Sequence, residues 1–263
     1  MIHDSRNEAA SVAPGGVLIA LLLGAVLACG GSRPASVEHD PAPPALPPPA
    51  NDTRFERAVA YSAERSGRVL HIVEGSLAVL EVGQNGHDPT LAYPLYTASE
   101  SFWGPLALAA SVDGLLDLDE RVAEVLPEFT DTAWKRQMDI RQLLDYTSGL
   151  SAGVSSLQLG RGNAMLRALS MPMVSRPGER FQYGPSHLLV FGAVLERALE
   201  PQGENPLGYL ERRIFAPIGL ELEGWDSGAD GTPTLPTGAR IRASEWAKFG
   251  RLLRDGGAFG GAA

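Results

Sequence analysis

The strand-forming residues of this chain gather in one place, and the chain beyond them reads as helix. Arg68 to Glu74 and Leu77 to Val82 are short apolar runs rich in β-branched residues, separated by Gly75-Ser76. This pattern predicts a β-hairpin with a two-residue Gly-X turn. Both faces of each strand are largely apolar, which predicts a central, covered place in a sheet. Upstream, Thr53-Arg-Phe-Glu56 has capping-box spacing ahead of Phe55, Ala58, Val59 and Ser62, which share one helical face. Downstream, Phe102, Trp103, Leu106, Ala109, Ala110 and Val112 recur at helical spacing, and Gly114 supplies a stop. Asp139 is placed to cap a short helix, and Ser186 to Leu199 is an apolar helical run. Asn205-Pro206 sets a cap and a first-turn proline, and Ser244 opens a last helix ending at Gly256-Gly257. A two-stranded hairpin alone is marginal and leaves open edges. No third strand is read after the helical block. The expectation is therefore an α+β domain over residues 51–263 whose C-terminal strands are missing.

Ahead of that domain lies a leader. Residues 15–28, GGVLIALLLGAVLA, are small and apolar, of the length of a signal-peptide core and too short to span a bilayer. Cys29 comes immediately after, in the context Val-Leu-Ala-Cys-Gly-Gly-Ser, which resembles a bacterial lipobox. In that reading residues 1–28 are a signal peptide and Cys29 is lipidated. Asp4 and Glu8 beside Arg6, and Leu27 two places before the cysteine, depart from the usual pattern. The alternative is an ordinary secretory signal or an uncleaved anchor, with Cys29 incidental. Residues 32–50 are rich in proline and alanine, which suits a semi-extended spacer. The pair predicts a domain tethered at the periplasmic side of a bacterial membrane by acyl chains, or otherwise secreted.

Charge and cysteine content narrow the partners. The formal net charge is −9 and no run of one sign reaches five residues, which argues against nucleic acid. One cysteine excludes an intrachain disulfide and a cysteine-based zinc site. No H-E-x-x-H, P-loop or dinucleotide fingerprint occurs, so neither a metal nor another cofactor is expected.

Five collinear stretches carry a family resemblance. Asp113-Gly-Leu115, Leu118-Asp-Glu-Arg-Val122 and Leu126-Pro-Glu-Phe129 succeed a helix beginning near Thr97. Met138-Asp-Ile-Arg-Gln-Leu-Leu-Asp-Tyr-Thr-Ser-Gly-Leu150 comes next. Arg176-Pro-Gly-Glu-Arg-Phe181-Gln-Tyr183 is third, then Pro217-Ile-Gly-Leu220, then Ala243-Ser-Glu-Trp-Ala-Lys-Phe-Gly250. In this order and spacing they resemble the serine β-lactamase-related hydrolases, which include class C β-lactamases and penicillin-binding-protein-like peptidases and esterases. The resemblance implies the β-lactamase/transpeptidase-like fold, with the N-terminal helix and hairpin belonging to an antiparallel sheet and a helical subdomain beside it. It also implies acyl transfer on amide, ester or β-lactam bonds.

The chemistry of that family rests on Ser-x-x-Lys at a helix start, a tyrosine motif, and a Lys/His-x-Gly motif on a later strand. Registering the helix on Asp113-Gly114 puts Thr97 in the serine slot and Glu100 in the lysine slot, with Tyr183 as the tyrosine candidate. The departure is electrostatic. A lysine, which desolvation turns into a base, is replaced by a carboxylate, and the positive end of a helix should hold that carboxylate ionised and weakly basic. Thr97-Ala-Ser-Glu100 also has the form of a capping box, which would make the former catalytic pair a helix cap. Ser99 and Ser101 have no base at the required spacing, and His187 is most simply a capping or surface residue. The Lys/His-x-Gly motif is absent.

Three functions remain open. The chain is an envelope lipoprotein of this fold with impaired catalysis, binding a peptidoglycan peptide or a small ester or amide. Alternatively it is a working esterase, DD-peptidase or β-lactamase using Thr97 and Tyr183. Alternatively it is an unstable truncated gene product.

Overall fold

The computed structural model describes residues 53–153 and 163–259. The leader, Cys29 and the proline-rich spacer lie outside the described residues. No helix among the described residues is long and apolar enough to cross a membrane.

The domain opens with helix α1 (Glu56–Glu64). Its N-cap is Phe55 and no side chain caps it, so the Thr53–Glu56 capping box does not form. Strands β1 (Val69–Glu74) and β2 (Leu77–Gly83) pair antiparallel across Gly75, whose φ of +62° is the left-handed conformation the predicted turn asks of its first residue. A register shift interrupts the ladder between Ile72 and Val73. The hairpin is less covered than its composition predicts. Its residues are mostly half-buried, because it forms a two-stranded sheet of its own.

A second sheet departs from the expectation that nothing strand-like comes after the hairpin. Strand β3 (Tyr93–Pro94), β4 (Gly224–Trp225) and β5 (Ala239–Ile241) form an antiparallel sheet in the order β3-β5-β4. Two or three residues are too few to show a period of two, so the sequence pattern carries no sign of them.

That small sheet positions the helix on which the candidate site stands. A 3-10 segment (Tyr96–Phe102) runs directly into α2 (Trp103–Val112). The Leu95 N–H donates to the Ala239 carbonyl at 2.8 Å, and the Ala239 N–H donates to Ser99 Oγ at 3.2 Å, so β5 grips the segment on both sides of Thr97. Below it, Phe102 is fully buried among Phe215, Trp246 and Phe249, with ring centroids 4.7–5.4 Å away. Edge-to-face contacts of this kind add to the burial itself, by about 0.5–1.5 kcal/mol each. Trp103 donates its indole N–H to the Leu235 carbonyl at 3.2 Å.

The remaining helices surround this core. Helices α3 (Val122–Val125), α4 (Ile140–Leu144) and α5 (Ala164–Leu169) are short. Asp139 caps α4, as its sequence predicts, and Gln142 completes a capping box with it. Helix α6 (Pro185–Leu199) is buried along most of its length and forms the centre of the helical block. Asn205 caps α7 (Pro206–Leu210), and α8 (Ala243–Arg254) packs on β1.

Candidate active site

Three separate stretches converge at the start of the Tyr96–Phe102 segment. Thr97 is exposed, and Glu100, one 3-10 turn on, is half-buried. The second stretch is Tyr146-Thr-Ser-Gly-Leu150, after α4. The third is Phe181-Gln-Tyr183, leading into α6. The last two are knitted by the Gln182 N–H, which donates to the Tyr146 carbonyl at 2.9 Å, while the Val174 N–H donates to the Gly149 carbonyl at 2.8 Å. Glycine is required at 149, where φ is +81° and a Cβ would stand 2.3 Å from the Ser175 carbonyl oxygen. It is required again at 184, where a Cβ would lie 2.5 Å from the Ala152 carbonyl oxygen. The sequence places Gly184-Pro185 where the resemblance has Ser-Asn. Here that pair serves close packing and a first-turn proline of α6.

The structure brings Thr97, Glu100 and Tyr183 together, as registered from the sequence. It adds Tyr146, which sequence reasoning did not single out. The Tyr146 hydroxyl donates to Glu100 Oε2 at 2.8 Å. The Tyr183 hydroxyl interacts with both Glu100 and Thr97, without the close geometry of the Tyr146 bond. The two phenol rings lie 5.4 Å apart at 35°, and Phe181 stands 5.8 Å from Tyr146. The available signal was that Tyr146 occupies the histidine position of the family's His-Thr-Ser-Gly-Leu.

Two expectations are overturned by this arrangement. The Thr97–Glu100 capping box does not exist: the 3-10 segment begins two residues earlier than that box requires, its N-cap is Leu95, and no side chain caps it. The Glu100 carboxylate reaches instead across to Tyr146. Nor does the helix end keep that carboxylate weakly basic. Burial pushes the Glu100 pKa up, and the hydrogen bonds from Tyr146 and Tyr183 only partly offset it. Both phenols are also pushed up, chiefly by burial and then by the neighbouring carboxylate.

His187 is neither a surface residue nor a cap. It is fully buried, with Nδ1 2.7 Å from Ser148 Oγ, and its ring packs edge-on to Tyr146 at 5.2 Å. Burial lowers its pKa to about 4, against the Gln182 carbonyl and the Asp145 charge. Its Nε2 is buried without a hydrogen-bond partner among the described residues. The imidazole is therefore neutral near pH 7. Ser99 and Ser101 are occupied as well: Ser99 is buried as the acceptor of the Ala239 N–H, and Ser101 donates to the Ala98 carbonyl at 2.7 Å.

Backbone strain marks the same place. Tyr96, the residue before Thr97, has φ +51°, and Tyr146 has φ +61°. Left-handed conformations at such residues cost on the order of 1–3 kcal/mol and cluster at functional sites. Among the described residues no group of acidic, histidine or cysteine side chains could hold a metal ion.

These three stretches meet on an α+β core, and comparison with known proteins places that core in a known family. The family model described as Beta-lactamase matches residues 51–263, and this chain belongs to that family. No curated protein matches. Among solved structures, a Bacillus anthracis protein proposed to hydrolyse 6-aminohexanoate dimers superposes with a TM-score of 0.64 and 16% identity, over 75% of this chain and 57% of its own. FmtA from Staphylococcus aureus superposes at 0.63 with 14% identity, over 82% of this chain and 70% of its own. The D-amino acid amidase of Ochrobactrum anthropi SV3 does so at 0.61 with 17% identity, over 78% and 71%. At these identities the likeness is one of fold. The chain spans less than two thirds of several such neighbours, 57% of the Bacillus anthracis protein and 65% of one from Bacteroides dorei.

Proposed function

We propose that this chain is an envelope-tethered protein of the Beta-lactamase family in which acyl transfer is impaired and the cleft serves binding. The observation that carries this reading is the partner of Glu100. The position registered to a proton-accepting amine holds a carboxylate hydrogen-bonded to a phenol. Acyl transfer needs a base whose pKa lies near the working pH and which touches the nucleophile. Both tyrosines stay protonated near neutrality, His187 is committed to Ser148, and the Glu100 carboxylate is bonded to Tyr146 rather than to Thr97. The lipobox-like Cys29 and the proline-rich spacer support the tether. A peptidoglycan peptide or a small ester or amide fits the ligand class of the family.

One observation favours a second reading, weak acyl hydrolysis. The Tyr183 hydroxyl contacts both Thr97 and Glu100, so a proton leaving Thr97 Oγ1 could pass to Tyr183 while the Tyr183 proton passes to Glu100. A fluorophosphonate probe and a nitrophenyl ester applied to the full chain separate the two. Impairment predicts no stoichiometric label on Thr97 and no hydrolysis above that of Thr97→Val. Labelling at Thr97 together with turnover abolished by Glu100→Gln establishes the relay instead.

A further inference from the structure

Outside its two phenols, the Glu100 carboxylate is unbalanced. An ionised carboxylate offers about four acceptor positions, and the tyrosines account for two of them. Among the described residues Glu100 joins no ion pair, although the other ion pairs of the domain are numerous. The imidazole beside Tyr146 does not supply the charge, since it is neutral. A half-buried carboxylate without a counterion is costly in its ionised form, and a ligand cation would offset that cost.

The surroundings specify what would complete it. Phe181 is 65% exposed and Tyr183 49% exposed, and both flank Tyr146, whose hydroxyl lies on the carboxylate. Large aromatic rings left open to solvent beside an anion form the elements of a cation seat. Ring faces attract an ammonium within about 6 Å of the centroid, and the carboxylate fixes it by charge-assisted hydrogen bonds. An anionic ligand would meet repulsion here, and a neutral one would leave the charge unpaired.

We propose that the cleft accepts the ammonium group of a ligand, with the Glu100 carboxylate as counterion and the open faces of Phe181 and Tyr183 as its aromatic wall. The ligand's cation then stands near the place where the family's catalytic amine is expected. The inference deepens the proposed binding role and rests on it for the cleft's purpose. The ammonium can belong to an aliphatic side chain or to an α-amino group. Both present the same chemistry to the site.

A ligand-observed NMR titration of the full chain in non-ionic detergent tests this. The probes are n-butylammonium and alaninamide, with 1-butanol as the neutral control and empty micelles as the blank. The expected result is that at least one ammonium probe binds at least tenfold more tightly than 1-butanol, and that Glu100→Gln removes this preference. Phe181→Ala, at an exposed position, weakens the ammonium probe severalfold while leaving the circular dichroism unchanged. The stronger probe identifies the source, side-chain-like or α-amino. Equal binding of probe and control, or a preference that survives Glu100→Gln, overturns the proposal. Labelling of Thr97 by the fluorophosphonate probe bears only on the loss of catalysis, so the two readings fail separately.

Discussion

Two carboxylates in this domain accept a hydrogen bond from a tyrosine at nearly the same length, and their environments have opposite effects. Asp113 takes the Tyr209 hydroxyl at 2.7 Å and a two-pronged contact from Arg213 at 2.7 and 2.9 Å. The guanidinium holds the Asp113 carboxyl below the usual carboxylate range, and Tyr209 is pushed up to about 12. Glu100 takes the Tyr146 hydroxyl at 2.8 Å and has no arginine, so burial decides and its carboxyl rises. The first arrangement is a closed structural clamp joining the end of α2 to the segment after α7. The second is open. A tyrosine bond alone therefore does not define a site. The missing cation does.

The largest effect should come from the buried imidazole that stands beside the open site without supplying that cation. The His187 pKa is depressed to about 4 from 6.5, so the unfolded chain takes the proton first. Its contribution is complete above pH 6.5 and is lost as the pH falls towards 4, by about 3 kcal/mol in all. Urea denaturation across that window should show the slope, and His187→Gln should flatten it.

Next in size is conversion of the closed site into an open one. Arg213→Leu should cost about 1–2 kcal/mol, the scale of hydrogen bonds to a charged group at a partly exposed position. It should also move the Asp113 titration upward. In the wild type, Asp113 supports the fold above its ordinary value of 3.8 and loses that support as the pH falls further. Thermal unfolding with and without Arg213 at pH 7 and pH 3 checks both parts, and the difference should shrink at the lower pH.

Glu100→Gln should have the opposite sign and a smaller size, a slight gain in stability at pH 8. Because the Glu100 pKa is raised, its stabilising protonation is complete below 4.5 and is lost as the pH rises through the folded value. The gain from Gln should therefore vanish below pH 4.5. Last, Glu100→Lys should move the Tyr183 titration downward, as a neighbouring cation does for an acid. Tyrosinate absorbance at 295 nm tracks it.

Legibility in the sequence divides along similar lines. The hairpin, the Asp139 and Asn205 caps and the buried run of α6 are readable, because each is written in contiguous residues with a local physical reason. The sheet β3-β5-β4 is not, since its strands are too short for periodicity and β3 pairs with β5 across more than a hundred residues. At the site, the family resemblance implies that Thr97, Glu100 and Tyr183 meet. Thr97-Ala-Ser-Glu100 spells a capping box that tertiary structure overrides: β5 fixes the start of the turn at Leu95, and a phenol from a distant segment outcompetes the local amide for the carboxylate. The surface reading of His187 fails for the same reason. Nothing near it in sequence announces Ser148.

The binding role and its ligand both depend on Glu100 being a half-buried carboxylate without a counterion among the described residues. Carboxyl-carbon NMR titration of glutamate-labelled chain, with Glu100→Gln assigning the resonance, measures this directly. A Glu100 midpoint above the ordinary glutamate value of 4.5 is expected. A midpoint at or below that value would mean that its surroundings already stabilise the ionised carboxylate, and would contradict both the open site and the ammonium ligand inferred for it.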